Sequence, residues 1–209
     1  GPSVGTSPPV CRPSLCAQFS KRETILLLVF MSVYNLKSSF YIATFSDQMR
    51  TMFDERVASS LDNVFNISFP LGGALTSVFA SLMLQRFQDR EDVYMAVVLL
   101  FANVFGIANL LPYAWSQYLA AILFGPARTL QWAAYFHFLS QPKRYPPETV
   151  GRMLGYSNLV IAVVGDAPTI LLHQWVLDQE FLGLTLEQRY RMVHLVLQLL
   201  VTFSFVLPL

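Results

Sequence analysis

The chain has 209 residues, of which 54% are hydrophobic and 13% charged, and its net charge is +1. Soluble domains carry about 25% charged residues, so this composition leaves too little polar surface for a water-soluble globule. A nearly balanced charge gathered between apolar runs also excludes the basic footprint of a nucleic-acid binder, and the remaining class is a polytopic membrane protein.

Residues 1–22 are rich in Pro, Ser and Gly without a hydrophobic period, which predicts a disordered linker. No signal-peptide pattern precedes the first apolar run, and the chain, opening on Gly1, reads as a fragment or processed piece. Cys11 and Cys16 lie in this tail, where a cytosolic placement predicts ordinary thiols rather than a disulfide. A spanning helix needs about 20 apolar residues, and residues 23–209 hold six such runs, at 24–45, 60–85, 93–111, 114–139, 152–174 and 191–209.

Lys and Arg collect on the cytosolic side of membrane proteins. Arg12, Lys21, Arg22, Arg86, Arg90, Lys143, Arg144 and Arg152 fall on one side, whereas Arg50, Arg56, Arg189 and Arg191 on the other are offset by six acidic residues. The linker and both ends of the bundle are therefore expected in the cytosol. Six helices with both ends inside form half of a transporter plan in which each half contains two inverted three-helix repeats, with long connections expected after the first and fourth helices.

Positions three, four and seven apart share a helix face. The fourth helix thereby aligns Phe124, Arg128, Gln131 and Tyr135, and the fifth aligns Gly151, Gly155, Asn158, Ala162 and Asp166. Asp62, Asn66, Gly73 and Ser77 form a stripe in the second, Asn35, Lys37, Ser38 and Ser39 cluster in the first, and the third and sixth read as more uniformly apolar, although Asn103, Gly106 and Asn109 interrupt the third. Counted inward at 1.5 Å per residue, Arg128 lies about eleven residues deep and Asp166 and Lys37 about thirteen, near the midplane where such transporters bind substrate.

An arginine at the centre of a membrane helix costs about 2.5–3.5 kcal/mol on insertion scales, so Arg128 is expected to face a partner or a water-filled cavity. Two readings stay open: a cation that receives a carboxylate of the substrate, or an ion pair with Asp166. Asp166 in turn is read as the partner of Arg128, a proton acceptor in a coupled cycle, or a helix-breaking device with Gly165 and Pro168. Lys37 either lines the cavity or snorkels to the surface. His137 reads as an interface histidine or a proton relay, and Gly151 with Gly155 as a close helix contact. Gly125–Pro126 and Ala167–Pro168 should interrupt their helices, and the Asn66-Ile67-Ser68 sequon falls inside a span and should be unmodified. No metal-ligand cluster, nucleophile with a nearby base or phosphate loop is legible, so neither an enzyme nor a cofactor or metal is expected.

The segment ARTLQWAAYFHFLSQPKRYPPETVGRMLGYSNLVIAVVGDAP, residues 127–168, resembles the tenth and eleventh helices of solute carrier family 43, a branch of the major facilitator superfamily. Arg128 followed by Trp132, Tyr135 and Phe136, and then Pro147, Glu148, Gly151 and Gly155, carry the resemblance; the first two helices are similar to the seventh and eighth more loosely. The resemblance implies the C-terminal six-helix half of a twelve-helix major facilitator protein, partnered by an N-terminal half in a bilayer, most readily the plasma membrane. It implies a small-molecule substrate, an amino acid or in one branch a purine nucleobase. Arg128, Gln131, Asn35 and Lys37 would then line the cavity, with Trp132 and Tyr135 as aromatic walls. Lys37 departs from the family's pattern, and LQRFQDR (84–90) keeps only part of the superfamily's loop motif. A relative that kept the fold and lost transport, serving as a scaffold or receptor, is the rival from another class.

Overall fold

A computed structural model describes residues 15–87, 90–177 and 183–206. These residues form helices and contain no strand: α1 (Leu15–Phe19), α2 (Arg22–Met52), α3 (Glu55–Arg86), α4 (Glu91–Leu110), α5 (Ala114–Leu139), α6 (Pro147–Ile161), a π-helical turn (Ala162–Asp166), α7 (Pro168–Leu177) and α8 (Leu186–Val206). Local chemistry sets several of these limits. Pro147 occupies the first turn of α6, where its missing N–H costs nothing, and Glu91 and Asp92 complement the N-terminal dipole of α4.

Four stretches are long and apolar enough to cross a membrane, namely α2, α3, α4 and the composite Pro147–Leu177, against the six expected from the apolar runs. The other two helices, α5 and α8, span 26 and 21 residues, and their buried Gln117, Gln131, Arg189, His194 and Gln198 dilute their apolar character. Most helices also outrun the predicted windows. α2 and α3 continue through the polar turns at 46–52 and 55–59 and leave only Phe53 and Asp54 between them, so the long connection expected after the first helix is absent. Apolar windows register the stretch that suits hydrocarbon, whereas a helix continues into water on its own backbone hydrogen bonds. The unstructured linker was expected to reach residue 22, but Leu15–Phe19 form α1, with Gln18 buried and its Oε1 accepting from Thr149 Oγ1 at 3.0 Å. Residues 1–14, including Cys11, lie outside the described residues, as do Gln88 and Asp89 of the loop motif, while Cys16 is an exposed free thiol.

α2 packs on α8 and on the α6–π–α7 element, α5 packs on α3 and α4, and α4 meets α8. Aromatic rings fill the centre: Tyr41 lies 5.0 Å from both Phe105 and Phe124, and Phe45 stacks on Phe65 at 4.5 Å. At the end carrying α1, Arg144 of the α5–α6 loop bridges Glu23 at 3.3 Å and Glu91 at 2.8 Å, and Lys21 donates to the Arg144 carbonyl at 2.8 Å. Burial raises the Tyr145 hydroxyl above its ordinary titration range, and a 2.6 Å hydrogen bond with Thr24 works the other way.

The tightest crossing joins α3 and α5. A Cβ on Gly125 would stand 2.6 Å from the Phe69 carbonyl oxygen, and one on Gly72 would stand 2.9 Å from Pro126 Cδ. The two proline-bearing turns thus mate through their glycines, and Ser68 Oγ adds a 3.0 Å bond to the Ala121 carbonyl. Gly151 and Gly155, expected to mediate close packing, have nothing within 4 Å of a Cβ, so they make no such contact among the described residues. Gly125→Ala should therefore destabilise by about 1–3 kcal/mol through overpacking against backbone. Gly155→Ala should leave stability unchanged or raise it by up to about 1 kcal/mol, the helix penalty of glycine. Thermal unfolding of the purified protein in detergent measures both.

Candidate functional site

A cavity of about 1050 Å³ runs beside α5 from Arg128 to Lys143, walled by α3 and by the α5–α6 loop. Trp132, Phe136 and His137 contribute its α5 wall, with Phe69 and Ser77 from α3. The sequence dictates this stripe, because residues 128, 132 and 136 repeat at four-residue spacing and share a face. Trp132 packs edge-on to Tyr135 at 5.5 Å and tilted against Phe136 at 5.8 Å.

Arg128 is half-buried on this wall, one turn beyond the Gly125 crossing, and its Nη1 is buried without a hydrogen-bond partner. The expected ion pair with Asp166 is not formed: no carboxylate oxygen among the described residues lies within the 4.0 Å that defines a salt bridge to Arg128. Asp166 is instead claimed by α2, its Oδ1 accepting from Asn35 Nδ2 at 2.6 Å and from Ser39 Oγ at 2.5 Å. The reason is the π-helical turn. It widens the backbone just before Pro168, and Gly165 beside it lets that backbone approach α2 so closely that a Cβ would stand 2.8 Å from the Ser32 carbonyl oxygen.

Of the six residues expected to line a substrate cavity, Arg128 and Trp132 lie on the wall of the cavity described above, and the other four turn inward. Gln131 is fully buried with Nε2 against Met31 Sδ at 3.3 Å. Tyr135 is fully buried and donates to Asn158 Oδ1 at 2.9 Å, tying α5 to α6. Asn35 is 2% exposed and faces Asp166. Lys37 neither lines the cavity nor snorkels: it is 1% exposed between α2, α4 and α8. Its ammonium donates to Gln198 Oε1 and sits 4.6 Å from the Phe105 ring centroid.

That placement exposes a network absent from the expectations. Gln198 Nε2 donates to Asn103 Oδ1 at 2.9 Å, Thr202 Oγ1 donates to the same oxygen at 3.0 Å, and His194 Nε2 pairs with Gln48 Oε1 at 2.9 Å. The reading of the sixth helix as more uniformly apolar is thereby corrected, and Asn103 and Gly106, expected to interrupt the third, take part in the network. The signal was present, since His194, Gln198 and Thr202 recur at four-residue spacing on one face of α8. Gly106 makes room for the network, because a Cβ there would strike the Gln198 amide and stand 2.7 Å from Lys37 Nζ.

Helical content and four membrane-length apolar helices define an all-α membrane protein. The chain is 30% identical over 101 residues to Protein FMP42 of Saccharomyces cerevisiae, a match that covers 47% of this chain and 19% of that relative, so the chain spans about a fifth of the length of the curated relative it matches. No family model matches the chain. No solved structure matches it either.

A cation buried this deeply needs its acceptor. Gln198→Leu should leave the Lys37 ammonium with only the Phe105 ring and cost about 1.5–3 kcal/mol, the scale of a lost hydrogen bond to a charged group. Adding Lys37→Met should return most of that loss, because an apolar pair has no unmet polar group. A double-mutant cycle read by thermal unfolding should show coupling of at least about 1 kcal/mol between the two positions.

Proposed function

We propose that this chain is the C-terminal half of an alternating-access transporter for small organic solutes, most readily amino acids. The observation that carries the reading is Arg128, a half-buried cation in mid-helix with an unpartnered Nη1 on the wall of a large cavity. Such a group in a membrane segment needs an anion or water, and its planar fork suits a carboxylate. Trp132 and Phe136 beside it offer apolar surface to the remainder of the solute.

Helix packing supports the same reading. The first long helix, α2, packs on the last two long elements, and the fourth, α5, packs on the second and third. This exchange of partners is what two inverted three-helix repeats would produce. On this reading α5 and α8 also span the bilayer, with their polar side chains turned to the interior. Exposed Leu71, Leu75 and Leu82 of α3 and Leu159, Val163 and Ile170 beyond α5 suit lipid or an N-terminal half, and the matched relative is long enough to contain one. The family resemblance adds the plasma membrane as the location.

The exposed aromatic wall favours one alternative, a purine nucleobase stacked as a flat ring. Uptake of labelled leucine, arginine and adenine by cells expressing the full-length protein separates the two. Saturable uptake of one of them should fall at least about tenfold in Arg128→Gln, the consequence of losing about 1.4 kcal/mol or more of binding, with surface expression unchanged. No uptake of any of the three by a correctly inserted protein would remove the amino-acid and adenine readings and favour a scaffold role.

A further inference from the structure

α2 and α4 do not pack on each other among the described residues, and a second cavity of about 520 Å³ lies between them at the end that carries α1. α2 begins there at Arg22, α3 ends at Arg86, α4 begins at Glu91 and α5 ends at Leu139, so the cavity lies where the bundle passes from hydrocarbon to water. Its inner wall is apolar, made by Leu26, Leu27 and Phe30 of α2, Met95 of α4 and Ala134 of α5. From Arg22 at the rim to Phe30 at the floor, α2 descends about 12 Å at 1.5 Å per residue. Walls of this kind disfavour water, and an unfilled gap between helices forfeits packing, so an apolar chain is the filling that suits them.

The rim adds charge. Arg22, Arg144, Glu23, Glu91 and Asp92 give it one more carboxylate than cation among the described residues. Most of these groups are engaged. Arg144 reaches across the mouth to Glu23 Oε2 at 3.3 Å and Glu91 Oε2 at 2.8 Å, Glu91 Oε1 accepts from Gln141 at 2.6 Å, and Asp92 pairs with Arg90 at 3.2 Å. Arg22 has no ion-pair or hydrogen-bond partner among the described residues, and neither has Oε1 of its neighbour Glu23. A free cation beside a free carboxylate oxygen matches a headgroup that carries both a phosphate and an ammonium.

We infer that this crevice holds one phosphatidylethanolamine molecule of the surrounding bilayer, with its phosphate on Arg22, its ammonium on Glu23 and the upper part of an acyl chain along Leu26, Leu27 and Phe30. A primary ammonium donates N–H groups to a carboxylate, which the quaternary ammonium of phosphatidylcholine cannot do. Phe138, an aromatic face at the mouth that could receive a quaternary cation, is already covered by the Arg144 guanidinium at 4.2 Å. A purely anionic headgroup such as phosphatidylglycerol meets one free cation and an excess of carboxylate around it. The lipid site goes beyond the transport reading: it needs only a membrane around the bundle and is independent of what Arg128 binds.

The test is native mass spectrometry of the purified full-length protein, delipidated in detergent and mixed with equal amounts of dioleoyl phosphatidylethanolamine, phosphatidylcholine and phosphatidylglycerol. Wild type should retain phosphatidylethanolamine over either competitor by at least about fivefold, equivalent to about 1 kcal/mol. Arg22→Gln should weaken its binding about tenfold, equivalent to about 1.4 kcal/mol. Glu23→Gln should erase the preference over phosphatidylcholine while Arg144 keeps Glu91. Leu26→Trp, which fills the crevice without touching the rim, should lower phosphatidylethanolamine retention to that of its competitors. Arg90→Gln, outside the cavity, should behave as wild type. Each variant is checked for monodisperse elution, and Arg22→Gln, a change at an exposed position, carries the test if Leu26→Trp does not fold. Equal retention of the three lipids by wild type, preference for phosphatidylcholine or phosphatidylglycerol, or wild-type selectivity in folded Arg22→Gln and Glu23→Gln overturns the site. A loss in Arg90→Gln equal to that in Arg22→Gln also overturns it, because surface charge alone would then account for the binding.

Discussion

The backbone contact between α3 and α5 is the constraint on which the rest of the arrangement depends. Gly125 meets the Phe69 carbonyl with no room for a side chain, and Pro126 sits against Gly72. That contact fixes the rotation of α5, and one turn later the rotation decides that Arg128, Trp132 and Phe136 look into the cavity while Gln131 and Tyr135 look away. The glycine–proline pair expected to break α5 leaves the helix continuous and acts instead as a locating pin. Prolines in membrane helices are tolerated without a break, and α3 and α5 both run continuously through Pro70 and Pro126, so the interruption expected at Gly125–Pro126 does not occur.

The second organising feature is the separation of polar groups into two environments. Lys37, Gln198, Asn103 and Thr202 form a hydrogen-bonded network between α2, α4 and α8, in which the cation is met by an amide oxygen and a ring face. Arg128 and Asp166 belong to the other environment, where one group has an unmet donor and the other sits beside an unmet amide oxygen and a break in the helix. Satisfied networks rigidify a bundle, and unsatisfied groups are where solutes and ions have something to gain. The hydrogen-bonded network suits a role in holding α2 against α8, and the open groups suit recognition.

Much of this was legible in the residues, and the exceptions share a cause. Composition gave the membrane class, and apolar length located the helices although most run past their predicted windows, because hydrophobicity is a local property. The α5 limits, Ala114–Leu139, coincide with the predicted window since turn residues bound it on both sides. Position along a helix was also readable, which is why Arg128 and Asp166 were singled out. Azimuth was not. Whether Lys37 faced the cavity, and whether Asp166 faced Arg128 or α2, depends on which helices are neighbours and on a π-helical turn that shifts the register by part of a turn. The α8 stripe of His194, Gln198 and Thr202 was visible in principle, but its helix was judged by average apolarity, which conceals a narrow polar face.

The account stands on Arg128 facing an accessible cavity while Lys37, an equally deep cation, does not. Single cysteines at these positions, in a full-length protein whose native cysteines, Cys11 and Cys16 among them, are changed to serine, test this directly by reaction with a charged, membrane-impermeant thiol reagent. The account predicts that Arg128→Cys is modified and is protected by the transported solute, and that Lys37→Cys stays unmodified in the folded protein. Modification at position 37 with none at 128 would contradict it.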